Sequence, residues 1–204
     1  MKKISILLLV GLFSIAQSCN SNDDKKDSVE KANDANDKKD TSETMNNNNK
    51  DTTATMAPMA VNDDVADFAV KAANGGMMEV EMGKLAEQKA VSKGVKAFGA
   101  MMVKDHSKAN EELKKLAAAK NITLPATMGN DMQKHMDDLR KDTAMQFDKN
   151  YIDMMVSDHN DDIDLFEKAV KNSKDSAFKN FAAKTLPTLY KHLGAAKAIV
   201  KSRK

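Results

Sequence analysis

Between Val61 and Lys204 apolar residues return every three or four positions, Gly and Pro are sparse, and no run alternates as a strand would. The segment therefore reads as helical almost throughout. The first long helix is expected to begin after Asn62 and run to about Ala90, with Val65, Phe68, Ala72, Glu79, Met82, Ala86 and Ala90 on one face. The second follows Ser92, a residue suited to capping, and presents Val95, Gly99, Met102, His106, Leu113 and Ala117 until about Lys120. Asn121-Ile-Thr-Leu-Pro125 breaks the chain, and a shorter amphipathic piece spans about Asn130 to Met145. The third long helix, about Asp148 to Lys171, carries Ile152, Val156, His159, Ile163, Phe166 and Val170; the fourth, about Asp175 to Val200, carries Phe178, Phe181, Thr185, Leu189, Ala196 and Ile199. Four helices with short connections predict an all-α, antiparallel four-helix bundle with an extra short helix before the third. Pro187 cannot bond the Ala183 carbonyl and is expected to kink the fourth helix just before His192.

The apolar stripes are interrupted by residues of a different kind. At about 100° per residue, Glu79, His106 and His159 fall at the centres of their stripes, and His192 lies toward the edge of its own. Two of these sit in near-copies of one pattern, Met101-Met-Val-Lys-Asp-His106 and Met154-Met-Val-Ser-Asp-His159. At ~1.5 Å per residue, Glu79 and His106 differ in level by only about 4–5 Å, and His159 and His192 by roughly 6 Å. Each long helix thus directs one metal-capable side chain inward, and Glu79, His106, His159 and His192 form a candidate site for one transition-metal ion, Zn, Fe, Cu or Mn. The competing reading is a buried polar network in which Glu79 pairs with His106. Asp105 and Asp158 project off their stripes, either to solvent or as hydrogen-bond partners behind the imidazoles. His135 reads as a surface residue. Met102 and Met155 stand four residues before a stripe His, a pairing that suits Cu(I), although among 15 methionines and no Trp they also serve to fill gaps in the core.

The chain before residue 61 is of another character. Lys2 and Lys3, the apolar run Ile4 to Ile15, and Ala16-Gln17-Ser18 before Cys19 have the layout of a secretory signal over residues 1–18. Cys19 is the single cysteine, so no internal disulfide can form. Residues 20–60 contain no Leu, Ile, Phe, Tyr or Trp, and residues 19–60 are expected to be an anchor Cys followed by a disordered tether with a reach of roughly 35 Å. Without the signal the chain is formally neutral, and no basic patch interleaved with aromatics is present. Nucleic acid is therefore excluded as a partner. Residues 61–204 suit one domain.

Two resemblances add to this reading. The segment ending at Cys19 resembles a bacterial lipoprotein lipobox, with Ala16 and Gln17 at positions where Leu and Ala or Ser are usual. It implies a lipid on Cys19 that makes the membrane the partner and places the protein in the cell envelope, at the outer membrane, periplasmic or surface-exposed. An ordinary signal peptidase would cut the same bond and leave Cys19 free. Ala73-Asn-Gly-Gly-Met-Met-Glu79, Met102-Val-Lys-Asp-His106, Phe147-Asp-Lys-Asn-Tyr151, Met155-Val-Ser-Asp-His159 and Thr185-Leu-Pro-Thr-Leu-Tyr-Lys-His192 together resemble the ferritin-like domain of unknown function 4142 found in exported bacterial proteins. That resemblance implies a ferritin-like bundle and no settled activity. The Glu-x-x-His motifs of di-iron bundles are absent, and only Glu79 is expected inward, so a bridging carboxylate pair is not expected. With no nucleophile constellation and no phosphate loop, the first expectation is a non-enzymatic, envelope-tethered module binding one metal ion. The alternatives are a metal-oxidising or redox enzyme using the same His-rich site, and a structural or partner-binding bundle with a buried polar network.

Overall fold

A computed structural model of the chain describes residues 26–44 and 62–203. The expected signal segment 1–18 and Cys19 lie outside the described residues. Among the described residues there are six helices and no strand: α1 (Ser28–Thr44), α2 (Asp63–Lys89), α3 (Lys93–Ala119), α4 (Asn130–Lys141), α5 (Ala144–Asn172) and α6 (Ser176–Ser202). No described helix is long and apolar enough to cross a membrane.

Local chemistry sets the helix ends. Asn62 caps α2 by accepting the Val65 N–H at 3.3 Å. Ser92 occupies the cap position of α3, but its side chain makes no capping bond. The Asp148 carboxylate, reaching over from α5, accepts the N–H groups of Val91 at 3.0 Å and Ser92 at 2.7 Å instead. Asp148 thus holds the chain just before α3, and its charge lies at the positive end of that helix, while the capping bond expected of the serine is not made. After α3, Asn121 adopts φ 55°, a left-handed conformation that Asn tolerates at a helix end. Asp175 opens α6 by accepting from Ala177 and Phe178. Pro187 lies inside α6, which continues to Ser202.

α2 packs on α3 and α5, and α6 packs on α5 and α3, so the contacts of the four long helices close into a ring. The apolar interior falls into two clusters. One gathers Phe68, Leu113, Ile163, Phe166, Phe178 and Phe181; the other gathers Met78, Met82, Met102, Phe147, Tyr151 and Met155. At about 1.5–3 kcal/mol for each large apolar side chain withdrawn from water, these clusters supply the driving force for folding. Each long helix runs from one cluster to the other, and its inward polar residue falls near the change. Met102 and Met155 are fully buried in the methionine-rich cluster, so gap-filling accounts for their burial. α2 and α3 approach most closely where Gly83 faces Gly99. A Cβ on either would stand 2.7 Å from the other's carbonyl oxygen.

The structure differs from the expected tether between residues 28 and 44, where α1 forms and packs against α2. Ala32 and Asn36 turn inward. The Asn36 amide donates to the Thr123 carbonyl at 3.0 Å and accepts the Thr123 N–H at 2.7 Å. At the start of the helix, the Ser28 hydroxyl accepts the Thr127 N–H and the Asp27 carboxylate accepts that of Asn130. α1 is also tied to the α3–α4 connection by these hydrogen bonds, which a reading based on apolar content has no means of anticipating.

Candidate metal centre

Where the two apolar clusters meet, α2, α3, α5 and α6 each contribute one buried side chain: Glu79, His106, His159 and His192. Their ring centroids and contacts are close. His106 and His159 stand 5.6 Å apart, His106 and His192 5.2 Å, and His159 and His192 5.3 Å. Glu79 Oε2 lies 2.6 Å from His106 Nδ1, and Glu79 Oε1 lies 3.5 Å from His159 Nε2. The repeated Asp-His pattern therefore delivers both of its imidazoles to one point.

Each imidazole is held from behind. His159 Nδ1 donates to the Met155 carbonyl at 2.9 Å, and His192 Nε2 donates to Asp105 Oδ2 at 3.0 Å. A carbonyl and an ionised carboxylate only accept, so these two nitrogens carry the ring protons. The remaining nitrogens, His159 Nε2 and His192 Nδ1, then face each other at 3.3 Å as bare lone pairs. His106 Nε2 stands 3.2 Å from the same His192 Nδ1, and it supplies a third lone pair in the tautomer in which His106 Nδ1 donates to Glu79 Oε2. The three inward nitrogens lie within 4.8 Å of one another. Two nitrogens bound at ~2.0–2.1 Å to one tetrahedral ion stand about 3.3–3.4 Å apart. Two of the three nitrogen pairs, at 3.2 and 3.3 Å, have about the spacing that a shared ion requires.

The protonation states agree with this. Burial lowers His106 to about 4 against the pull of Asp162 and Asp105, and lowers His192 to about 4 against its bond to Asp105. Burial, together with the other two imidazoles, lowers His159 to about 3. All three are neutral at neutral pH, as ligation requires. Partial burial works against ionisation of Asp105, but its interaction with His192 together with the charges of Lys191 and Lys104 outweighs this and holds the carboxyl below the usual range.

The carboxylates on the α2 and α5 side depart from expectation. Asp162, three residues beyond His159, joins Glu79, so Glu79 is not alone in facing inward; their donor atoms lie with that of His159 within 4.8 Å of one another. Burial drives both carboxyls well above the ordinary range, and the neighbouring charges of Asp158 at Glu79 and of Glu79 at Asp162 add to the rise. A spacing of three on a helix returns a residue toward the same face, the one local signal pointing to Asp162, which is not among the site residues expected from the sequence. Asp158 does not mirror Asp105. Its carboxyl, raised to about 7 by burial and by Asp162 and Asp161, leaves Oδ2 without a partner. Glu79 Oε1 and the Tyr151 hydroxyl are the other buried side-chain atoms without hydrogen-bond partners among the described residues. His135 is exposed on α4.

A cleft of about 130 Å³ between α3 and α6 opens on this cluster, with His106, His192 and Asp105 in its wall. The Lys184 ammonium and the Glu112 carboxylate, 2.8–2.9 Å apart, pair at the same cleft.

Fold and site together define an all-helical protein with a buried group of three imidazoles and adjoining carboxylates. The chain belongs to the family described as domain of unknown function (DUF4142), whose model matches residues 50–199. No curated protein and no solved structure matches it.

Proposed function

We propose that this protein is an envelope-tethered, ferritin-like four-helix module that binds one transition-metal ion through His106 Nε2, His159 Nε2 and His192 Nδ1. The observation that carries the reading is the pair of lone pairs on His159 Nε2 and His192 Nδ1, 3.3 Å apart. With both ring protons spent on Met155 O and Asp105, no proton is left to join them, and a cation between them turns repulsion into two bonds. Glu79 acts as the carboxylate that fixes His106, a part that is usual behind a metal-bound imidazole. Three nitrogen ligands leave a fourth position free, in the manner of sites that exchange water or a small ligand. Imidazole donors favour Zn, Cu or Fe over harder ions. The signal at 1–18 and a lipid on Cys19 would hold the module at the envelope membrane.

Elemental analysis of the full mature chain, purified without an affinity tag, is the direct test, and one equivalent of a transition metal per chain is expected. Metal at 100 times its Kd should add about 2.7 kcal/mol of stability, and the double substitution His106→Gln, His159→Gln should remove that gain. Equal melting temperatures with and without Zn, Cu, Fe and Mn in both proteins would reduce the cluster to a buried polar network. Membrane fractionation of Cys19→Ser checks the anchor: release into the soluble fraction is expected, and retention refutes lipidation.

A further inference from the structure

Beside the three imidazoles lies a second, smaller space. A cavity of about 20 Å³ is bounded by Glu79, His106, Asn110 and Asp162, with Gly76 and Leu113 among its other walls. About 10–15 Å³ holds one water-sized sphere, so this cavity takes a single monatomic ion or one water and nothing larger. The backbone is shaped around it. A Cβ on Gly76 would come within 2.1 Å of Asn110 Oδ1, and one on Gly75 would stand 3.5 Å from Asp162 Oδ1. Glycine at residue 76 thus makes the room that Asn110 occupies.

The donors of this cavity are oxygens. Glu79 is 1% exposed, and its Oε1 has no hydrogen-bond partner. Asp162 has a donor atom within 4.8 Å of it, and Asn110 contributes an amide. No sulfur is present; His106, in the cavity wall, is paired through Nδ1 with Glu79, and its Nε2, like His159 Nε2 at 3.5 Å from Glu79 Oε1, is committed to the first ion. A divalent ion would displace the protons that burial favours on the two carboxyls and be balanced by both charges, and oxygen donors select hard ions over the metals that imidazole prefers.

We infer that this cavity is a second cation site, in which Glu79, Asp162 and Asn110 bind a hard divalent ion of the Mn²⁺ and Mg²⁺ class next to the three-imidazole ion. The inference rests on the three-imidazole reading only in assigning His106 and His159 to the first ion.

The test uses the full mature chain, stripped with chelator, loaded with one equivalent of Zn²⁺ and titrated with Mn²⁺ while free Mn²⁺ is followed by electron paramagnetic resonance. Wild type should bind one Mn²⁺ in addition to Zn²⁺. Asp162→Asn, which preserves shape, should weaken Mn²⁺ binding at least tenfold while retaining Zn²⁺, and Asn110→Ala should weaken it without altering the circular dichroism spectrum. His106→Gln with His192→Gln should lose Zn²⁺. Failure of Zn²⁺-loaded wild type to bind Mn²⁺, or undiminished Mn²⁺ binding by Asp162→Asn, would overturn the inference and leave the cavity to a water molecule. Loss of Zn²⁺ binding in wild type would instead refute the three-imidazole reading, and Mn²⁺ binding that still depended on Asp162 would stand without it.

Discussion

Replacing Gly99 by alanine and replacing Gly194 by alanine are the same chemical change in the middle of a helix, and they should act with opposite signs. Alanine is better than glycine in a helix interior by about 1 kcal/mol. At Gly194 a Cβ meets nothing within 4 Å, so the full gain should appear. At Gly99 the new Cβ would stand 2.7 Å from the Gly83 carbonyl oxygen and 2.8 Å from Ala86 Cβ. Heavy atoms settle at about 3.5–4.0 Å, so α2 must withdraw by roughly 1 Å, and overpacking of this kind costs about 1–3 kcal/mol. The obstacle is backbone and cannot rotate away. The net effect is a loss of about 1 kcal/mol at Gly99 against a gain of about 1 kcal/mol at Gly194. In a domain of this size each kcal/mol moves Tm by about 2–4 °C. Thermal melts of metal-free protein at pH 7, followed by far-ultraviolet circular dichroism, should separate the two variants by about 4–8 °C. Equal stabilisation by both substitutions would refute the close approach of α2 and α3.

Other outcomes follow from the site and from α1. Asp105→Asn leaves the His192 ring proton facing a weaker acceptor and should reduce metal affinity about 10–100-fold, measured by competition with a chromophoric chelator; unchanged affinity would sink the orienting role. The imidazoles, held at about 4, 3 and 4, are already neutral in the fold at pH 5, so metal binding to folded protein should persist there. A loss beginning at about 6.5, as for exposed histidine, would show that burial does not govern them. The folded-state Asp158 carboxyl, raised to about 7, contributes stability that is full at low pH and disappears as pH rises through 7. Asp158→Asn should accordingly raise Tm above pH 7 and leave it unchanged near pH 4. Asn36→Ala removes both bonds to Thr123 and should render α1 sensitive to limited proteolysis while the ring of long helices resists; equal resistance would mean that α1 is held by other contacts.

Much of the helical layout was legible because one stripe per helix reports both periodicity and facing. Asn62 and Asp175 end their helices with their own side chains, so those limits could be read locally. Ser92 makes no capping bond of its own, and the carboxylate that fixes the chain at that turn, Asp148, is distant in sequence. The same division holds at the site. Glu79 and the three histidines stood out against apolar neighbours, whereas Asp162 sits among Asp158, Asp161 and Asp164 in a stretch that reads as a solvated face. Only the approach of α2 identifies which of these turns inward. Asp105 and Asp158 occupy equivalent places in the repeated pattern, and their different surroundings arise from pairing α3 with α6, which no local window contains.

The division of the interior into two apolar clusters bears on how an ion would come and go. Each site-bearing helix is gripped above and below the polar level, so Glu79 and the imidazoles are held by packing that exists before any ion arrives. Chelation should then leave the helices intact, unlike small domains that fold only around their metal. Exchange would be governed by passage through the cleft between α3 and α6, beside the Lys184 and Glu112 pair, and not by refolding. A centre arranged in this way is built for retention: it would release its ion slowly into dilute surroundings.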